Sequence, residues 1–300
     1  MSLLVVGSTA FDTIETPFGT KANCLGGSST YFTLAASLFT EVRLVSVVGT
    51  DFPDESRQLL ADRGAKLDGL EVADGKTFSW SGKYSADMNS RETLDCQLNT
   101  FGGFAPKVPE SFVETPFVFL ANSAPATQSS VLSQVKSPVF TVADTMDLWI
   151  NTAREDLAEL LKGVDGLIVN DEEVKLMTGE SNLIRAGRAL MAMGPNVAIV
   201  KKGEHGAFLF TNDDCQQALP AYPTDKVVDP TGAGDSFAGG FMGYLAGCDG
   251  LTAANMKRAM AYGTVTASLT VEGFGVDRIA EADRAEVDQR YQELIQFVSV

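Results

Sequence analysis

Short apolar runs recur along the chain: LLVVG (3–7), VRLVSVVG (42–49), FVFL (117–120), VFTVAD (139–144), GLIVN (166–170) and VAIVKKG (197–203). Most are β-branched and continuous rather than alternating, as expected of strands buried on both faces of a parallel sheet. Between several of them the spacing changes to three and four residues, over REDLAELLK (154–162) and NLIRAGRALMAM (182–193), which predicts amphipathic helices. Strands alternating with helices predict an α/β fold with a doubly wound, mainly parallel sheet.

Residues 70–105 break this rhythm. GKTFSWSGKYSADMNSRETLDCQLNTF (75–101) alternates polar with aromatic or aliphatic positions and has no long helical stripe. The pattern predicts antiparallel strands. These form either a small sheet standing off the main one, as a lid, or an edge extension of the main sheet. VPESFVETP (108–116) leads back to the main sheet. With no repeat, low-complexity tract or flexible linker, residues 1–300 read as one unit carrying that insert.

Composition narrows the function classes. Of 300 residues 45% are hydrophobic and 21% charged, enough for a large core and unlike a disordered chain. The net charge of -16, without a basic cluster, argues against a sequence-independent grip on nucleic acid. A single histidine rules out a multi-histidine zinc site. Cys24, Cys96, Cys215 and Cys248 form no C-x-x-C pair and read as reduced thiols. The N-terminus enters a strand without a basic leader or long apolar stretch, so no membrane contact and a cytoplasmic location are expected.

The densest chemistry lies in VVDPTGAGDSFAGGF (227–241). It is neither a Walker loop nor a nucleophile elbow, and Phe237 occupies the third glycine position of a dinucleotide fingerprint. From Ser236 the chain reads as a helix with Ala238, Phe241, Met242 and Leu245 on one apolar face, ending at Gly247. Gly232, Ala233 and Gly234 then lie at a helix N-terminus, where free N–H groups attract anions. Asp235, in the first turn, either favours the helix dipole alone or takes a proton from a hydroxyl beside a bound phosphoryl group.

DPTGAGDSFAGGF resembles the C-terminal motif of the ribokinase-like, or PfkB-type, carbohydrate kinases. The resemblance implies that Asp235 is the catalytic base and that Gly232, Ala233 and Gly234 supply the anion hole. It also implies that Asp229 and Thr231 help bind a monovalent cation, K⁺. VVGSTAFD (5–12) resembles the family's first strand and turn, implying that Asp12 grips sugar hydroxyls. LGGSSTYFTLAASLF (25–39) resembles its glycine pair, implying that Gly26 and Gly27 admit the acceptor. LIVNDEEVKLMTGE (167–180) resembles its N-x-x-E element, placing Asn170 beside the nucleotide and Glu173 near Mg²⁺ through water. VAIVKKGEHGAFLF (197–210) resembles its phosphate-side strand and turn, implicating Lys201 and Gly203, with His205 an exposed turn residue. Taken alone, these segments would also serve as ordinary turns, helix entries or a β-hairpin. The resemblance spans nearly the whole chain and implies ATP and Mg²⁺, with a sugar or nucleoside acceptor phosphorylated by direct in-line transfer. In the family the lid often also draws on residues around 10–25, and a lid sheet with one apolar face would pair in a homodimer.

Two positions depart from the ribokinase pattern. Tyr31 and Ala10 stand where ribokinases often carry asparagine, which makes the pocket less hydrogen-bonding and favours a nucleoside or an apolar-substituted sugar over ribose. Phe78, Trp80 and Tyr84 offer stacking surfaces for a base. Asn122, after the FVFL strand, is expected to contact the acceptor, while Asp144 and Met146 also follow a strand, where open α/β sheets bind ligands. Arg91 and Asn89 are candidate acceptor contacts on the insert. A catalytically idle metabolite sensor, or a nucleotide-binding module that uses the turn only for anions, are the alternatives.

Overall fold

Alternate residues of the central strands feed two different cores. Leu3, Val5, Phe117 and Phe119 pack into one with Phe32, Phe241 and Met260, whereas Leu4, Val6, Val118 and Leu120 pack into the other with Leu157, Val174 and Leu190. Both faces of the sheet are therefore covered by helices, which is why its strands read as unbroken apolar runs. The computed structural model describes residues 1–212 and 216–299; Cys215 lies outside the described residues.

The strands, in chain order, are β1 (Leu3–Val6), β2 (Ala10–Thr16), β3 (Gly19–Gly26), β4 (Val42–Gly49), β5 (Lys66–Ala73), β6 (Phe78–Tyr84), β7 (Arg91–Gln97), β8 (Phe117–Leu120), β9 (Phe140–Asp144), β10 (Gly166–Asn170), β11 (Val197–Lys201), β12 (Ala207–Thr211) and β13 (Gln216–Leu219). The main sheet runs β13-β12-β11-β10-β9-β8-β1-β4-β5. The strands from β11 to β5 pair in parallel, and β12 and β13 extend the sheet antiparallel. Strand order reverses around β1, and at such a switch point the carboxyl ends of an open sheet leave a crevice.

The second sheet, ordered β3-β2-β6-β7, leaves the main sheet at that point. It joins strands from the expected 70–105 insert, β6 and β7, to strands from the 10–25 region. Residues 70–73 complete β5 at the edge of the main sheet, and residues 10–26 supply half of the small one. It is also mixed rather than antiparallel throughout, because β2 and β6 run parallel. The predicted helices occur at Arg154–Leu161 and Leu183–Met191. The helix expected from Ser236 begins earlier, at Ala233, and ends at Ala246 before Gly247. Its apolar residues Ala238, Phe241, Met242 and Leu245 are all buried. Among the described residues no helix is long and apolar enough to cross a membrane.

Candidate active site

Parallel strands bring their carboxyl ends to one edge, and several sequence-selected residues meet there. Asn170 and Lys201 are direct partners at the ends of β10 and β11, and Asp144, ending β9, pairs with Ile168 one turn of the pleat earlier. Asn170 caps the Asp171–Thr178 helix: its Oδ1 accepts the Glu173 N–H at 2.8 Å, and Glu173 Oε2 accepts the Asn170 N–H at 2.7 Å. This reciprocal capping box fixes both side chains at the sheet edge.

The glycine turn approaches from the other side. Gly232 has a left-handed backbone (φ 73) and precedes the Ala233–Ala246 helix, whose first-turn acid is Asp235. A methyl group on Gly232 would fall 2.3 Å from the Tyr31 ring, and one on Gly234 would fall 2.6 Å from Lys201 Nζ. The turn is thus seated on an aromatic floor, with the Lys201 amine against its second glycine. Asp229 is wholly buried; its Oδ1 accepts the Thr231 N–H at 2.9 Å and its Oδ2 the Gly275 N–H at 2.8 Å. It stitches the turn to the loop after the Ala253–Thr270 helix.

The small sheet provides the third wall. Strand register puts Asp12 beside Trp80 and Tyr84 beside Arg91, on one face of the sheet. The Trp80 indole folds over Gly82 on that face, and the Arg91 guanidinium lies 5.8 Å from its ring centre. Asp12 presses on Gly26 so closely that a side chain there would collide with its carboxylate. Tyr84 Oη and Thr231 Oγ1 are 3.1 Å apart, joining the small sheet to the glycine turn. Asn89 Nδ2 donates to Glu204 Oε1 at 3.2 Å, joining its hairpin to the turn that contains Gly203 and the exposed His205.

Carboxylates dominate the enclosed space and their protons are held tightly. Burial, reinforced by Asp229 and Asp235, pushes Asp12 up to about 7, against the pull of the Gly27 N–H and Arg91. Burial raises Asp235 to about 6 even though Lys201 and Arg91 oppose it. Asp144 is held well above the usual carboxylate range by burial and by Asp235, with Lys201 opposing. Burial likewise raises Glu173 and Asp229. Such a concentration of desolvated acids beside a lysine and a helix N-terminus fits chemistry in which a proton and a polyanion are handled together.

A model of the pfkB family of carbohydrate kinases matches residues 126–283. The chain belongs to that family. It is a small-molecule kinase by this membership, and its fold agrees with that of the family's solved structures. Over 253 residues it is 29% identical to the cytidine kinase of Thermococcus kodakarensis, covering 82% of this chain and 90% of that one. It is 28% identical over 290 residues to a nucleoside kinase of Methanothermobacter thermautotrophicus, covering 91% and 90%. The nucleoside kinase of Burkholderia thailandensis in complex with inosine superposes with a TM-score of 0.79 at 19% identity, over 98% of each chain. The ribokinase of Cryptococcus neoformans in complex with ADP superposes with a TM-score of 0.79 at 20% identity, over 96% of this chain and 99% of that one.

Some residues fall in places that the sequence pattern did not foresee. Tyr31 is only 1% exposed and supports the glycine turn from below, so it is not part of an open acceptor wall. Asn122 accepts the Trp149 indole N–H at 3.0 Å and donates toward Met146 Sδ, so its side chain is engaged at the strand end. Phe78 stacks on Phe101, with ring centres 5.6 Å apart. Asp144, read only as a strand-end residue, is electrostatically joined to Asp235 and Lys201. Gln128 escaped notice altogether. Its amide donates to the carbonyls of Leu120, Ala121 and Asp144, tying the ends of β8 and β9 together. No local motif announces that role.

Proposed function

We propose that this kinase transfers the γ-phosphoryl group of ATP to a hydroxyl of a nucleoside or sugar by direct in-line attack, with Asp235 as general base. The observation that carries the reading is the meeting of Asp235, the helix N-terminus at Gly232–Gly234 and Lys201 Nζ, opposite the buried Asp12. Asp12 orients the acceptor through its hydroxyls, and Gly26 and Gly27 leave it room. With a proton affinity near neutrality, Asp235 is able both to accept the hydroxyl proton and to release it afterwards. The N–H groups of the turn receive the charge that builds on the transferring group, worth roughly 10²–10³ in rate per donor. Lys201, with Asn170 and Gly203 beside it, faces the nucleotide phosphates. The small sheet acts as a lid on this single kinase unit, excluding water so that ATP is not hydrolysed.

Buried Asp144 has one carboxylate oxygen without a hydrogen-bond partner, a donor set that suits Mg²⁺ together with Glu173. Among the described residues no three ligating side chains converge, so the ion would be held through waters and the ATP phosphates, whose charge it would neutralise. Asp229 and Thr231 are the ligands for a monovalent cation in this reading, since a buried carboxylate with a raised proton affinity gains from a nearby positive charge. The nucleoside preference rests on the relatives named cytidine and nucleoside kinase and on Trp80 facing the acceptor side. A homodimer through the exposed strand β7, a cytoplasmic location, and the absence of nucleic-acid or membrane partners belong to the same proposal. The idle-sensor alternative has no support among these relatives.

The test is ADP release with Mg-ATP and K⁺ over a panel of nucleosides and sugars. One acceptor should give turnover, and Asp235→Asn should lower kcat roughly 10³-fold with the fold intact. Turnover within a few-fold of the unsubstituted enzyme would remove Asp235 as base.

A further inference from the structure

We infer that Phe274 is a positioning residue for the phosphoryl transfer: it joins the small sheet to the loop that holds the glycine turn, so that the turn takes its competent shape only when that sheet is seated. The inference rests on the kinase reading above and extends it to a residue with no reactive side chain.

The loop 271–276 follows the Ala253–Thr270 helix and grips the start of the glycine turn. The Val271 carbonyl accepts the N–H groups of Val228 at 2.7 Å and Asp229 at 3.2 Å. The Gly275 N–H donates to Asp229 Oδ2 at 2.8 Å, and Asp229 Oδ1 accepts the Thr231 N–H at 2.9 Å. Asp229 is wholly buried, so no bulk water replaces these bonds when they break. The same loop is fixed to the C-terminal Arg284–Val298 helix. Glu272 accepts Nη1 and Nη2 of Arg290 at 3.0 and 2.7 Å, and also the Thr224 hydroxyl at 2.7 Å.

Phe274 stands between these two holds and points elsewhere. Its side chain packs into a cluster with Ile14, Cys24, Trp80, Tyr84 and Met88. Those five belong to the small sheet or to its β6–β7 hairpin, and Phe274 is the member supplied by the main body. Two neighbours reinforce the seat. Cys24 Sγ lies so close to Gly275 that a methyl group there would fall 3.0 Å from it, and Lys21 of β3 pairs with Asp277 just past the loop. The contacts close on themselves. Tyr84 shares the cluster with Phe274 at one end, and its Oη lies 3.1 Å from Thr231 Oγ1 at the other. A ring therefore runs through Tyr84, Thr231, Asp229, Gly275 and Phe274, and returns to Tyr84 through the cluster. Groups joined in such a ring shift as a unit. Withdrawing the small sheet opens it at two points and leaves Thr231 and the adjoining Gly232 held from one side. Seating the sheet over an acceptor restores both, and the N–H groups of the turn then stand where charge develops on the transferring group. Phe274 acts only through this seat and touches no reacting atom.

The test measures acceptor-dependent ADP release for Phe274→Ala, Phe274→Leu, Tyr84→Phe and the double variant Phe274→Ala with Tyr84→Phe, alongside thermal melts. Phe274→Ala should lower kcat about tenfold or more while KM for ATP stays within a few-fold, and Phe274→Leu should regain part of the loss. Tyr84→Phe removes only the hydroxyl and should cost about three- to tenfold in kcat. The double variant should fall no more than about twofold below Phe274→Ala, because a ring cut once is already open. Losses that multiply in the double variant would overturn the proposal and leave two independent contacts. An unchanged kcat in Phe274→Ala, or a melting temperature that collapses in both Phe274 variants, would overturn it as well. A second measurement needs no acceptor: amide hydrogen exchange of the ligand-free protein. Phe274→Ala should speed exchange at the Thr231 and Gly275 amides, both bonded to Asp229, about tenfold relative to those of β1 and β8. Tyr84→Phe should speed Gly275 severalfold too, although the lost hydroxyl bonds only Thr231. If the unsubstituted enzyme is silent with every acceptor, the parent reading fails; unchanged exchange at Gly275 in both variants would sink the Phe274 assignment separately.

Discussion

Replacing Asp12 by asparagine should make the ligand-free protein more stable, and by an amount that depends on pH. Asp12 is 4% exposed, and its proton affinity rises from the ordinary 3.8 to about 7 because burial disfavours the charged form. The folded chain thus binds this proton more tightly than the unfolded chain does. Its contribution to stability is intact below about pH 3.8 and is lost as pH climbs through about 7. Asparagine has the same shape, still accepts the Gly27 N–H and never ionises. At 1.36 kcal/mol per pH unit, the gain is about 1.5 kcal/mol at pH 5 and about 4 kcal/mol at pH 8. With an unfolding entropy of about 2.1 cal/mol/K per residue over 300 residues, those figures become roughly 2 °C and 6–7 °C in melting temperature. Paired melts of both proteins at pH 5 and pH 8, without ligand, measure the difference. Acceptor binding should weaken in the same variant, because the carboxylate that grips hydroxyls is gone. An equal gap at the two pH values, or a less stable variant at pH 8, would refute the claim that Asp12 is a desolvated acid retained for function at the expense of stability.

Two other expectations follow from the same geometry. Gly232→Ala adds a side chain at a left-handed position facing the buried Tyr31 ring, so urea melts should show a loss of about 2–4 kcal/mol, partly restored by a second change, Tyr31→Leu. The pH profile of kcat/KM should fall on the acid side between about 6 and 7, as Asp235 and Asp12 take up protons, with a slope approaching two below that range. In Asp12→Asn the slope should become one, with its midpoint near 6; an unshifted, steep limb would mean that other groups control it.

The paired-face burial of the central strands was legible in the chain itself. Runs such as LLVV and FVFL have no polar face to offer water, so only a sheet covered on both sides accommodates them. The glycine turn was equally plain, because Gly232 at positive φ and an acid in the first helical turn are local consequences of neighbouring residues. The capping box of Asn170 and Glu173, three residues apart, is local too. What the chain could not declare are the relations between distant segments. Tyr31 meets Gly232 across some two hundred positions, and Tyr84 meets Thr231 across 147, only after helices and sheets have packed. The small sheet takes β2 from beside β1 because a parallel pairing with β6 closes it, and no local pattern specifies a pairing between strands so far apart. The raised proton affinities of Asp12, Asp144 and Asp235 arise in the same way. Desolvation depends on everything folded around a carboxyl group, whereas its identity and its sequence neighbours are all that the linear chain records.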